Sequence, residues 1–219
     1  MDAISSTLIE FKGDVSATAH HLMNDAKILV TVPHAYSVLD DLESHPRDFA
    51  ALEAAKRLLG PHTLLHVGTL DRHLEADLNR ETTTAASREY HEFIEWWIRT
   101  HPDGILVDVH SFPKEDFNWK NSTTTLKRDT YATSPLVILL PEENSGFAQQ
   151  FARGLTKDVY QGTSVVKIVN MGCKQSVLLE FREHEKGGLD SPETADRVRD
   201  TLLAFSLVKA RLARHEIVP

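Results

Sequence analysis

The chain has 219 residues, 41% of them hydrophobic, and a formal charge of -8 at pH 7. That length and apolar content fill a complete core, read here as one domain over residues 1–219. The acidic balance excludes a nucleic-acid binder, which needs a concentrated basic surface, and no stretch approaches the ~20 apolar residues of a membrane span. The N-terminal Met1-Asp2-Ala3-Ile4-Ser5-Ser6 lacks the basic, then apolar, layout of a secretory signal, so a cytoplasmic location is expected. With Cys173 as the single cysteine, neither an intrachain disulfide nor a thiolate zinc site can form. Any metal must therefore use histidine and carboxylate.

Strand and helix signals alternate along the chain without a linker, a repeat or a low-complexity tract. Ile4 to Asn24 has mixed polarity and reads as a leading strand or helix on the domain's edge. Lys27 to Val32 is a buried strand by its β-branched content, and Pro33 ends it so that His34 opens the next loop. Pro46 to Leu59 has helical apolar spacing and stops at Gly60 and Pro61. Thr63 to Val67 reads as a strand, followed by a polar loop from Asp71 to Arg80. From Ala85 to Thr100 the stripe Tyr90, Phe93, Ile94, Trp97 and Ile98 predicts a helix packed on the core.

The uncharged run Ile105, Leu106, Val107 reads as a strand buried on both faces, and it ends in Asp108, His110 and Ser111. Asp108 and His110 stand two apart, so an extended chain points both to one face. Residues 113–133 are polar and Thr-rich, too long for an ordinary connection, and read as a mobile segment or a lid. Further strands are expected at Pro135 to Leu140, Ser164 to Val169 and Ser176 to Arg182, with helices at Ser145 to Asp158 and Ser191 to Arg214. The sum is a three-layer α/β fold, a mixed, mainly parallel central sheet with helices on both faces and a site at the strand carboxyl ends.

Glu180 interrupts an apolar strand, where an unpaired carboxylate is costly, so a compensating partner or a function is expected. His34, His110 and Glu180 thus sit at three strand ends. Two imidazoles with carboxylates are the donor set of a catalytic zinc, which takes three protein ligands and keeps one position for water. His34 and His110 are the expected imidazole ligands. The carboxylate ligand is open among Asp40, Asp41, Glu43 and Asp48, with Asp41 preferred because it precedes the helix closely enough for the loop to fold back. Asp108 suits the role of accepting an imidazole N–H and fixing its tautomer. The other histidines His20, His21, His45, His62, His91, His101 and His215 fall in polar or helical contexts and read as surface residues.

In order after Pro33-His34, the motifs Asp77-Leu-Asn-Arg80, Asp108-Val-His-Ser-Phe112 and Leu179-Glu-Phe-Arg182 resemble those of the N-formylglutamate amidohydrolases and the related zinc carboxypeptidases. The resemblance spans roughly residues 30 to 185, and an ordered set of motifs is more specific than any one of them. It implies that His34 and His110 bind zinc and that Glu180 is the general base and acid. It further implies that Asn79 and Arg80 hold a substrate's free carboxylate while Arg72 polarises the scissile carbonyl. Carboxypeptidases carry His-x-x-Glu, whereas Ser37 stands three residues after His34 here. The implied substrate is a small N-acyl amino acid cut at its amide bond. A metallocarboxypeptidase acting on short peptides or protein C-termini and a non-catalytic binding protein on a degenerate hydrolase fold are the alternatives. His34 and Asp41 also have the His-x6-Asp spacing of D-alanyl-D-alanine-type zinc peptidases, whose later Glu-x-x-His pair is missing.

Overall fold

The computed structural model describes residues 7–11, 26–35, 48, 50–70, 77–79, 84–112, 134–143, 146–155, 159–164, 166–184 and 188–215. Among the described residues seven strands form one sheet in the order β1-β3-β2-β4-β7-β5-β6. They are β1 (Thr7–Phe11), β2 (Ile28–Val32), β3 (Thr63–Gly68), β4 (Ile105–Phe112), β5 (Leu136–Pro141), β6 (Val159–Ser164) and β7 (Ser176–Arg182). The pairs β3/β2, β2/β4, β4/β7 and β5/β6 are parallel, while β1/β3 and β5/β7 are antiparallel. The mixed, mainly parallel sheet expected from the sequence is the one observed.

Helices cover both faces because the central strands are apolar on both. On one side α1 (Ala51–Leu58), α3 (Gly146–Gly154) and α4 (Pro192–His215) pack on Val30, Val107, Val109 and Val177. On the other, α2 (Ala85–Thr100) lays Tyr90, Ile94 and Trp97, all fully buried, on Leu29, Leu64 and Leu106. Thr84 caps α2, its hydroxyl accepting the Ser87 N–H at 3.0 Å. No helix among the described residues is long and apolar enough to cross a membrane.

Three expectations need correction. The strand placed at Ser164 to Val169 lies instead at Val159–Ser164, on the sheet edge beside β5, and Ile168–Asn170 form a 3-10 turn. Ile168 and Val169 are buried, so their apolar character serves packing by a turn and not pairing in a ladder. The helix expected from Pro46 starts at Ala51, because the Asp48 N–H goes to the His34 carbonyl (3.0 Å) and the Ala50 N–H to Ser111 Oγ (3.1 Å). His91 and His101 are buried, not on the surface. His101 stacks on Trp97 at 4.9 Å and lies 3.0 Å from its carbonyl oxygen, while both ring nitrogens of His91 face carbonyls. His62 is exposed as expected; His20, His21, His45, the ring of His215 and the segment 113–133 lie outside the described residues.

His66, on β3, is fully buried between Tyr90 (4.3 Å) and Phe93 (4.4 Å), and neither ring nitrogen has a hydrogen-bond partner among the described residues. Burial, with a smaller contribution from His91, pushes its pKa from 6.5 down to about 3. Between those values the unfolded chain binds a proton that the folded chain refuses, so stability falls as pH drops from 6.5 toward 3. His66→Leu is therefore expected to flatten the stability profile below pH 6.5 by up to ~1.4 kcal/mol per pH unit. Urea unfolding midpoints from pH 7 downward measure this, and equal slopes in the two proteins would rule it out.

Candidate metal centre

His34 follows β2 directly, and His110 projects from β4 on the face that α2 covers, two residues after Asp108. Both imidazoles are buried, at 4% exposure each, and their rings meet edge to face at 5.2 Å. Their Nδ1 atoms converge on one carboxylate oxygen: Asp48 Oδ2 lies 3.5 Å from His34 Nδ1 and 2.7 Å from His110 Nδ1. His34, Asp48 and His110 thus present three donor atoms within 4.8 Å of one another, a set that can hold one metal ion. A metal about 2.0–2.2 Å from each donor spaces them roughly 3.3 Å apart, and the two observed distances straddle that value. Two imidazoles and a carboxylate fit zinc chemically as well.

The far side of each ring is also built. His34 Nε2 lies 2.8 Å from Asp77 Oδ1, and His110 Nε2 lies 3.1 Å from Asp108 Oδ2. A carboxylate behind an imidazole takes its remaining N–H, turns the other nitrogen's lone pair to the metal and raises ligand basicity. Asp108 is itself held by Thr31, whose hydroxyl donates to Oδ1 at 2.7 Å. Asp77 is held by the Asn79 N–H at 3.0 Å, a side-chain turn that fixes the carboxylate before any ligand arrives. The Asn79 amide nitrogen sits 3.2 Å from His110 Nε2, and its Oδ1 is buried with no partner among the described residues.

Pro33 and the Asp77–Asn79 turn close over the end of β3 because residue 68 is glycine. A Cβ there would lie 2.4 Å from Leu78 Cδ1 and 2.5 Å from the Pro33 carbonyl oxygen. Gly68 therefore lets two of the site's segments touch.

Electrostatics follows from this crowding. Burial opposes ionisation of Asp48, but hydrogen bonds and charge from His110 and His34 overcome it and hold the carboxyl far below its ordinary 3.8. Burial likewise opposes a charged His110, yet Asp108 and then Asp48 outweigh it and raise the pKa well above 6.5. The pair is thus an ion pair that a divalent cation would replace, displacing a proton as it binds.

Glu180 is placed by strand register. It is the Cα partner of His110 across the parallel β4/β7 pair, so both side chains leave the same face of the sheet on neighbouring strands. It is half-buried. Asp41, Asp40, Glu43, Arg72 and Arg80 lie outside the described residues. Of the four acids open from the sequence, Asp48 is the one seen beside the imidazoles. Asp77, at the head of the Asp-Leu-Asn-Arg motif, takes its role from the contact with His34 across 43 residues of sequence.

No protein-family model and no curated protein matches the chain. Solved structures do. The gene product Atu2144 from Agrobacterium tumefaciens is 14% identical, with a TM-score of 0.56 over 97% of this chain and 96% of that one. An N-formylglutamate amidohydrolase from Ralstonia eutropha JMP134 is 14% identical, with a TM-score of 0.55 over 98% and 100%. The chain has the fold of that amidohydrolase structure. A metallo-carboxypeptidase from Burkholderia cenocepacia, at 13% identity, aligns with a TM-score of 0.44 over 95% of this chain and 61% of that one. The fold that the four motifs implied is the fold found.

Proposed function

We propose that the chain is a zinc-dependent amidohydrolase that cleaves the amide bond of an N-acyl amino acid bearing a free carboxylate. The observation that carries this reading is the convergence of His34 Nδ1 and His110 Nδ1 on Asp48, each ring backed by its own carboxylate, with Glu180 in register beside His110. The structural neighbour that is an N-formylglutamate amidohydrolase supports it.

In this reading His34, Asp48 and His110 hold the ion. Bound there, zinc supplies Lewis acidity, polarising a carbonyl oxygen and making water acidic near neutral pH. Glu180 takes a proton from the attacking water and returns it to the leaving nitrogen, which lets an amine depart. Asp77 and Asp108 keep the two imidazoles in the metal-binding tautomer. Asn79 and Arg80, adjacent in sequence, hold the substrate's carboxylate, the guanidinium by a two-pronged contact, and Arg72 steadies charge on the scissile carbonyl oxygen.

The test is turnover of N-formyl- and N-acetyl-glutamate by the zinc-loaded chain, beside the same compounds amidated at the α-carboxylate and short peptides with a free C-terminus. Hydrolysis of the free acids is expected, and loss of it on amidation. Cleavage of the peptides alone would assign a carboxypeptidase, and no turnover of any would favour a binding protein on a hydrolase fold. Arg80→Lys is expected to lower kcat/KM for the free acids at least about tenfold, since one of two charge-assisted bonds worth ~1.5 kcal/mol is lost, with little change in Tm. An unchanged kcat/KM would place Arg80 outside the substrate's reach.

A further inference from the structure

His91 stands on α2, outside the set of residues that could touch metal or substrate, yet it is only 2% exposed and its Nε2 lies 2.7 Å from the Leu78 carbonyl oxygen. Leu78 is fully buried, packed with Tyr90, Ile94 and Trp97, so its carbonyl oxygen needs a protein donor. Among the described residues His91 is that donor. The other ring nitrogen, Nδ1, faces the Ser87 oxygen at 2.7 Å, but Ser87 is four residues back along α2, and its carbonyl is the one a regular helix already bonds. Burial, and then Lys167, hold the His91 pKa below 6.5, so the ring is neutral near pH 7 and serves the Leu78 carbonyl as the Nε2–H tautomer.

The Leu78 carbonyl and the Asn79 N–H are two sides of one planar peptide group. His91 holds its oxygen, and its N–H donates to Asp77 Oδ1 at 3.0 Å. The same Oδ1 lies 2.8 Å from His34 Nε2. The sequence of contacts runs His91, peptide 78–79, Asp77, His34, with each step a single defined bond.

We propose that His91 is a positioning residue of the metal centre: its bond to the Leu78 carbonyl locks the 78–79 peptide plane, which aims Asp77 at His34. This rests on the reading of His34, Asp48 and His110 as a zinc site. It assigns the inner face of α2 a part in metal affinity that no residue in contact with the ion supplies.

The experiment measures zinc affinity of the full chain by competition with a chromophoric chelator, beside thermal unfolding of the metal-free protein. The variants are His91→Phe, His91→Gln, Asp77→Asn and the double variant His91→Phe/Asp77→Asn. His91→Phe is expected to weaken zinc binding about tenfold, the lower end of what an outer-shell partner costs. His91→Gln, whose amide can still donate to Leu78, is expected to restore most of it. Because both residues act along one chain of bonds, the double variant should lose little more than Asp77→Asn alone. Unchanged affinity in His91→Phe, losses that simply add, or a Gln variant as weak as the Phe variant would each overturn the proposal. If His91→Phe does not fold, the imidazole 15N spectrum of the wild-type chain decides: the Nε2–H tautomer is expected, and the Nδ1–H tautomer overturns it. A wild-type chain that binds no zinc would instead remove the metal reading and this proposal together, a result distinct from a zinc-binding chain indifferent to His91.

Discussion

Glu180→Gln is expected to give a folded, zinc-retaining protein whose kcat is lower by about 10² or more, the usual contribution of a positioned general base. Gln matches Glu in size and keeps one acceptor oxygen, but it cannot take a proton from water. The residue's position leaves two explanations to separate. As a structural residue, Glu180 would neutralise an arginine near the strand, and removing its charge would cost roughly 3 kcal/mol or more for a buried pair. Arg182, on the same face two residues on, pairs with Asp190 at 3.6 Å, which gives that guanidinium a carboxylate other than Glu180. Register with His110 and partial exposure instead put Glu180 on the neighbouring strand, on the same face of the sheet as the imidazole. Thermal stability, bound zinc and turnover of an N-acyl amino acid distinguish the two in one variant. A stable, metal-loaded protein with undiminished turnover would end the general-base role, and a large drop in Tm would favour the structural one.

The parts of this molecule that were legible from sequence are those where a local pattern has a single physical solution. Ile105 to Val107 could only be a strand covered on both faces, and alternation then put Asp108 and His110 on one side of it. Tyr90, Ile94 and Trp97 at helical spacing could only face a core, and all are fully buried. What failed to show was whatever depends on a contact distant in sequence. Val165, Val166, Ile168 and Val169 have strand-like composition, but pairing is decided by what lies beside them, and β5 takes Val159–Ser164. His91 and His101 look like solvent residues on an amphipathic helix until the turn at Leu78 and the ring of Trp97 come against them.

The place of Asp48 beside the imidazoles rests on contacts of the same distant kind. Four acids follow His34 in sequence, and closeness to the helix start favoured Asp41, because nothing local reveals that the Asp48 N–H binds the His34 carbonyl and the Ala50 N–H binds Ser111. Those two bonds tie the end of the loop to β2 on one side and β4 on the other. They bring Asp48 between the imidazoles, a placement encoded by pairs of residues 14 and 61 positions apart.

Asp48→Ala is accordingly expected to weaken zinc binding by more than the ~10–100-fold that loss of a backing carboxylate such as Asp77 costs, with activity lost in proportion, whereas Asp41→Ala should leave affinity near wild type. His34→Ala and His110→Ala should match Asp48→Ala, since each removes one of three protein ligands. The metal-free protein offers a second signature. The Asp48 carboxyl is held far below 3.8 in the folded state, so its pairing with the imidazoles contributes stability in full above that value and loses it as pH falls below. Acid unfolding of metal-free Asp48→Ala should therefore start from a lower plateau and fall less steeply below pH 3.8 than wild type. Equal zinc affinity in wild type and Asp48→Ala, together with a loss in Asp41→Ala, would transfer the ligand role to Asp41 and leave Asp48 as the buried counter-ion of His110.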